Sequence, residues 1–214
     1  MNRINKMAMA AVLGAAAALA AMNPLPAPVV DAPRASGEQT AVLAGGCFWC
    51  TEAVFEHVAG VKKVISGYAG GSRETAHYEM VGSGRAGHAE SIQVTFDPAK
   101  ISYGTILKVF FGVAHDPTTL NRQGPDWGTQ YRSAIFYANE DQKRVAEAYI
   151  KQLDGAGVFK KPIVTQVAEL KAFYPAEDYH QDFVAHHPDH PYVVANSLPK
   201  LHKLEKTFPE LFRK

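Results

Sequence analysis

The sequence predicts one α/β domain in which short strands and helices alternate along the chain. Three observations lead there. The chain has 214 residues, the size of one domain with an extension rather than of two full domains. Hydrophobic residues make up 47% and charged residues 20%, enough apolar side chain to bury a core. Segments of strand period and of helix period interleave, with no internal repeat.

An address precedes the domain. Arg3 and Lys6 form a small positive start, and from Met7 to Met22 nearly every residue is Ala, Leu, Val, Met or Gly. Ala18-Leu19-Ala20 offers a small-x-small cleavage site. Residues 1–22 therefore read as a signal peptide, with an exported, periplasmic location as the expectation. The alternative is an uncleaved membrane anchor, for which the run is short and Ala-rich. After cleavage no stable membrane insertion is expected. Residues 23–38 carry Pro24, Pro26, Pro28 and Pro33 among small residues and read as an extended Pro/Ala-rich linker. The domain is expected over residues 39–214.

Its elements follow in order. Thr40 to Ala44 is an apolar run ended by Gly45-Gly46, a buried strand. Phe48, Thr51, Phe55 and Val58 recur at helical spacing, and Gly60 closes that helix. Val61 to Tyr68 is a second strand, ended by Gly70-Gly71. Ser91 to Phe96 alternates cleanly, and Asp97-Pro98 stops it. Ser102 is the N-cap of a helix through Ile106, Leu107, Phe110 and Phe111. Residues 116–128, rich in Asp, Pro, Gly and Asn, form a long loop. Tyr131 to Tyr137 is a strand, and Asn139 caps a helix from Glu140 to Leu153 that Gly155 ends. Pro162 to Leu170 is a strand candidate. Tyr174 to Pro191 shows little periodicity, and Ser197 caps a last helix with Leu201 and Leu204 inward.

Composition narrows the function. Lys and Arg number 22 against 21 Asp and Glu, a net charge of +1, so no global field exists for gripping a phosphate backbone and no nucleic acid is expected as a partner. Two cysteines exclude a disulfide framework and a four-cysteine zinc site. No nucleotide-binding glycine pattern is present, so no NAD or flavin cofactor is expected.

Both cysteines, Cys47 and Cys50, fall at the start of one helix just after Gly45-Gly46. A helix N-terminus stabilises a thiolate through unpaired N–H groups and the positive end of its dipole. A CxxC pair can also close a disulfide, so a two-electron cycle is available. Three chemistries compete. One is a thioredoxin-like thiol–disulfide oxidoreductase, although tryptophan there commonly precedes the CxxC and here Trp49 lies inside it. Another is a metal module of Cys47, Cys50 and tail histidines among His180, His186, His187 and His190. The third is an enzyme whose substrate oxidises one cysteine while the other resolves it. Phe48 and Trp49 favour the third, because an aromatic shelf beside a thiolate suits a small apolar group such as a methyl.

Gly45-Gly46-Cys47-Phe48-Trp49 resembles the signature of the peptide methionine sulfoxide reductase A family. So do Gly67-Tyr68-Ala69-Gly70-Gly71, Gly87-His88-Ala89-Glu90, His115-Asp116-Pro117, Arg122-Gln123-Gly124, Gly128-Thr129-Gln130-Tyr131-Arg132-Ser133 and Ala176-Glu177-Asp178-Tyr179-His180-Gln181, in the family's order. The resemblance covers nearly the whole domain from about Val42. It implies a single-domain two-layer α/β (α+β) roll with a mixed β-sheet and flanking helices. It also implies reduction of methionine S-sulfoxide, free or in proteins, for repair of oxidised proteins. By the same resemblance Cys47 is the nucleophile and Glu90 the acid that protonates the sulfoxide oxygen. Tyr78 and Tyr131 are the hydrogen-bonding tyrosines, Asp126 the active-site aspartate, and Phe48 and Trp49 hold the substrate methyl. No metal is implied, and a monomer is the expectation.

The roles make chemical sense. Sulfoxide oxygen leaves poorly until it is protonated, and burial can keep a carboxyl neutral near pH 7 for that purpose. Attack leaves Cys47 as sulfenic acid. Many members of the family have glycine at the position of Cys50 and carry resolving cysteines near the carboxyl terminus. This chain has no cysteine after Cys50, so Cys50 is its only internal resolver. A thioredoxin-like protein is expected to reduce the resulting disulfide, and an exported enzyme needs an exported donor.

Overall fold

The computed structural model describes residues 25–33 and 36–214. The signal-peptide expectation for residues 1–22 lies outside the described residues. In chain order the strands are β1 (Gln39–Gly45), β2 (Val61–Ala69), β3 (Ala89–Phe96), β4 (Arg122–Gln123), β5 (Asp126–Trp127), β6 (Ser133–Tyr137), β7 (Gln166–Glu169) and β8 (Phe173–Pro175). The α-helices are α1 (Phe48–Glu56), α2 (Tyr78–Gly82), α3 (Tyr103–Val109), α4 (Glu140–Gly155), α5 (Phe183–His186) and α6 (Leu198–Thr207). A π turn, Phe110–Ala114, extends α3, and another, Val193–Ser197, leads into α6.

Six strands form one sheet in the order β7-β6-β1-β3-β2-β8, while β4 and β5 make a separate short hairpin. Only β6 and β7 run parallel, so the sheet is mixed, as expected. Alternation along β1 sends Ala41 and Leu43 into the main core. That core also holds Phe48, Phe55, Ile106, Phe110 and Tyr149 from the helical layer. Val42 and Ala44 face the other way, into a smaller cluster with Ala69, Ala89, Ala134 and Phe136. No helix among the described residues is long and apolar enough to cross a membrane.

Two of the three N-caps read from the sequence are made. Ser102 Oγ accepts from the Thr105 amide at 3.1 Å, and Asn139 Oδ1 from the Gln142 amide at 3.0 Å. Ser197 does not cap α6: its backbone is already helical, and its hydroxyl lies 3.1 Å from Cys50 Sγ. The 162–170 strand shrinks to β7, the 116–128 loop contains the β4–β5 hairpin, and the 174–191 tail supplies α5. No local pattern in the sequence marks α2 or β8, the last strand at one edge of the sheet.

The 23–38 linker reading needs correcting. Residues 25–33 are extended, but they lie along the domain instead of leading freely away from it. Asp31 Oδ1 accepts from the Gly104 amide at 2.8 Å, and Tyr149 donates its hydroxyl to the Pro26 carbonyl at 2.8 Å. Gln152 bonds both Val29 and Ala27, while Leu25 and Val30 pack on the core. Proline favours an extended backbone, and its carbonyl remains an acceptor; that is what lets this strap dock.

Candidate active site

Gly46 turns the chain from β1 into α1 with φ +86°, and a Cβ there would meet the Gln123 side chain at 2.5 Å. Only glycine suits that combination. Gln123 itself is fixed, accepting from the Asp116 amide at 3.0 Å and donating to the Asp116 carbonyl at 2.7 Å. The next residue, Cys47, is the N-cap of α1, and its carbonyl accepts from the amides of Cys50 and Thr51.

Cys47, Phe48, Trp49, Tyr78, Glu90, Asp126 and Tyr131 line one cavity of about 200 Å³. The structure thus gathers seven of the eight residues singled out in the sequence. The eighth, Cys50, lies behind them, close to Cys47 but facing an adjoining cavity. Tyr192 completes the first cavity and was not foreseen; it stands just past the 174–191 tail, in which the sequence shows little periodicity. Its hydroxyl donates to Asp126 Oδ2 at 2.5 Å and also faces Cys47.

Glu90 is buried at the start of β3, and its Oε2 accepts from the Phe48 amide at 3.1 Å. Burial pushes its carboxyl up to about 8; the Phe48 hydrogen bond opposes this and loses, while the charges of Asp126 and Cys50 add to it. The carboxyl is therefore neutral at pH 7 and can donate. Burial also raises the hydroxyls of Tyr78 and Tyr131, with the Glu90 charge next, so both remain donors. Burial raises Asp126 as well, against its bond from Tyr192.

The two cysteines titrate as one coupled pair. Burial, then the neighbouring Cys50, pushes the Cys47 thiol well above its ordinary range. Cys50 is lowered to about 6, first by hydrogen bonding with Cys47; burial opposes, and Lys200 and the Ser197 hydroxyl assist. At neutral pH the pair carries one negative charge, which the two sulfurs share through their hydrogen bond.

A surrounding shell fixes the aromatics. Phe48 is fully buried, its ring 5.0 Å from the His180 ring and 5.9 Å from Tyr68. Trp49 is half-buried, stacked on Phe183 at 3.7 Å, and its Nε1–H donates to His180 Nδ1 at 3.1 Å. His180 Nδ1 is thus engaged by the indole, while its buried Nε2 has no hydrogen-bond partner. Among the described residues no group of three His, Cys, Asp or Glu side chains is placed to hold a metal ion. Glu177 accepts from the Tyr68 hydroxyl at 2.7 Å and from the Tyr78 amide at 2.9 Å.

The remaining motifs hold the loops together. Arg132 donates to the carbonyls of Gly87 and His88, both at 3.0 Å. His88 accepts from the Gly71 amide and donates to the Ser72 carbonyl. Gln181 ties Ser66 to Ala176. Arg132, His88 and Gln181 therefore fix the loops around Glu90 and the tyrosines without lining the cavity themselves.

Known proteins share this arrangement of sequence and fold. The family model for peptide methionine sulfoxide reductase matches residues 39–211. The peptide methionine sulfoxide reductase MsrA 2 of Mesorhizobium japonicum is 55% identical over 183 residues, covering 86% of this chain and 94% of that one. An MsrA of Thermus thermophilus is 51% identical over 176 residues, 82% of this chain and 98% of that one. Among solved structures, methionine sulfoxide reductase A of Corynebacterium diphtheriae is similar with a TM-score of 0.62 at 34% identity, covering 78% of this chain and 83% of that one. The reduced form of Mxr1 from Saccharomyces cerevisiae gives 0.64 at 30% identity, covering 78% and 94%. A cavity that sets a cysteine pair beside a neutral carboxyl, an aromatic wall and tyrosine hydroxyls can move an oxygen atom from sulfur to sulfur, and with these matches the chain belongs to the peptide methionine sulfoxide reductase family.

Proposed function

We propose that the chain reduces methionine S-sulfoxide, free and in proteins, to methionine. The observation that carries this reading is Glu90, a carboxyl kept neutral by burial in the same cavity as Cys47. Phe48 and Trp49 receive the substrate methyl, and the hydroxyls of Tyr78 and Tyr131 hold the oxygen. Cys47 Sγ attacks the sulfoxide sulfur as its proton passes to the Cys50 thiolate. Glu90 gives its proton to the oxygen, which transfers to Cys47. Methionine leaves, Cys47 becomes sulfenic acid, and Glu90 is left ionised to take a proton from solvent. Cys50 Sγ then attacks Cys47; its proton joins the departing hydroxide as water, and a Cys47–Cys50 disulfide remains. Asp126 and Tyr192 brace one wall of the site through their mutual hydrogen bond.

Two electrons must then come from outside, and a thioredoxin-like dithiol protein supplies them. The amino-terminal leader, with Arg3, Lys6 and its Ala-rich run, supports export to the periplasm. Protein repair would then take place there, fed by an exported donor. Fractionation with sequencing of the mature amino terminus tests the location; a full-length cytosolic product contradicts it. The reductase reading is tested by following kcat for methionine S-sulfoxide in Glu90→Gln, which should fall about 10²–10⁴-fold. An unchanged kcat removes Glu90 from the chemistry.

A further inference from the structure

A second cavity, of about 330 Å³, adjoins the first. The two share Cys47, Asp126 and Tyr192, but only the second reaches Cys50. Lys200 and Lys203 also line it, both from α6. Among the described residues the only ion pairs within 4 Å are Lys143–Glu140 and Arg144–Asp141, so neither lysine has a carboxylate partner. The carboxylates in the same cavity are otherwise engaged. Asp116 Oδ1 accepts from the Thr118 amide and hydroxyl at 2.9 and 2.7 Å, and Asp126 Oδ2 accepts from Tyr192. Two neighbouring ammonium groups that no carboxylate pairs within 4 Å, beside a buried sulfur, make a site for an anion that carries its own reactive atom. Burial and the charge of Lys200 both press Lys203 toward losing its proton, with Asp116 opposing, so a bound carboxylate would relieve a repulsion already present.

We propose that this second cavity is a reductant port that admits a small thiol bearing carboxylate groups. The inference rests on the reading that a Cys47–Cys50 disulfide is formed and must be reduced. Substrate then enters on the Glu90 side of Cys47 and reductant on the lysine side of Cys50. The carboxylates of the thiol pair with Lys200 and Lys203, and its thiolate attacks Cys50 Sγ. The Cys47–Cys50 bond breaks and Cys47 leaves as thiolate beside the Tyr192 hydroxyl. With Cys50 held in a mixed disulfide, the negative neighbour that opposes a charge on Cys47 is gone. A second thiolate attacks the sulfur of the bound thiol. It releases Cys50 as thiolate beside Ser197 and forms the small-molecule disulfide. In sum two thiols are oxidised and the enzyme disulfide gains two electrons and two protons.

The test starts from the full protein with its disulfide made by a chemical oxidant, so it does not depend on sulfoxide turnover. Reduction is followed with mercaptosuccinate, 2-mercaptoethanol and cysteamine, each rate divided by its thiolate concentration. Mercaptosuccinate should be fastest at low salt, by about tenfold over the neutral thiol, and cysteamine slowest; added salt should compress the series. Lys203→Glu should erase or invert the order, and the milder Lys203→Gln should weaken it. A methionine burst from the reduced Lys203→Glu variant, equal to that of the native protein, should accompany the loss. Equal rates for the three thiols, or an order that persists in Lys203→Glu, overturns the port. A missing burst in the native protein overturns the reductase reading instead.

Discussion

The Phe48 amide donates a 3.1 Å hydrogen bond to Glu90 Oε2, joining the residue after the nucleophile to the acid 42 positions later. It fixes where the carboxyl sits relative to Cys47. It does so at little cost to proton donation, because burial outweighs the hydrogen bond and the carboxyl still holds its proton up to about 8. The fold makes this meeting by placing the start of α1 against the start of β3.

The activity should be bell-shaped in pH. Cys50 is lowered to about 6, so below that the cysteine pair is fully protonated and attack fails. Glu90 is raised to about 8, so its donating form is present below that pH and is lost above it. The kcat/KM profile should therefore show limbs near 6 and near 8, which belong to the pair and to the carboxyl. A profile flat from pH 5 to 9 contradicts both assignments.

Removing Tyr192 should test the wall that the sequence did not reveal. Tyr192→Phe keeps the ring against Trp49 and deletes the bond to Asp126. Losing one hydrogen bond to an ionisable group should lower kcat/KM by about tenfold, with the fold intact by circular dichroism. Unchanged kinetics would make Tyr192 a packing residue only.

Glu52 offers a stability measurement away from the chemistry. It is buried in α1, its Oε1 has no hydrogen-bond partner, and burial raises it to about 7. A raised carboxyl costs nothing while both states are protonated, below about 4.3. The cost grows as pH climbs from about 4.3 to about 7, where only the unfolded chain ionises freely, and levels off above that. Glu52→Gln should come nearest the native protein below about pH 4 and melt higher at pH 8, by about 2–4 °C for each kcal/mol relieved. Identical differences at both pH values contradict the assignment.

Much of this site was legible because chemistry-bearing residues sit beside local signals. Gly46 with φ +86°, the helical spacing after Cys47 and the alternation after Glu90 are all visible in one sequence. Asn139 and Ser102 cap as their positions promise. Ser197 looked like another cap, but a long-range contact decides its hydroxyl, which belongs to Cys50. Tyr192 and Lys200 reach the cysteines only through tertiary packing, and no periodicity could announce them. The charge at the helix N-terminus is a related case. Its position argues for a thiolate, and only the packing shows that burial and the second sulfur make that charge a property of the pair. The strap at residues 25–33 shows the same limit, since its proline-rich composition says extended and only packing says docked.

Cys50→Ser separates resolution from attack. Its first turnover should still release methionine and leave Cys47 as sulfenic acid, trapped by a dimedone-type reagent, but more slowly, because Cys50 no longer takes the Cys47 proton. Turnover with a dithiol protein should fall by about 10²-fold or more if an internal disulfide is the normal route. Full turnover in that variant would make Cys50 dispensable.

The most direct measurement mixes fully reduced protein with methionine S-sulfoxide and no reductant, and counts methionine formed against thiols lost. One methionine per protein with loss of both thiols is the predicted result, and it makes Cys47 the nucleophile and Cys50 its resolver. No methionine, with both thiols intact, contradicts the account.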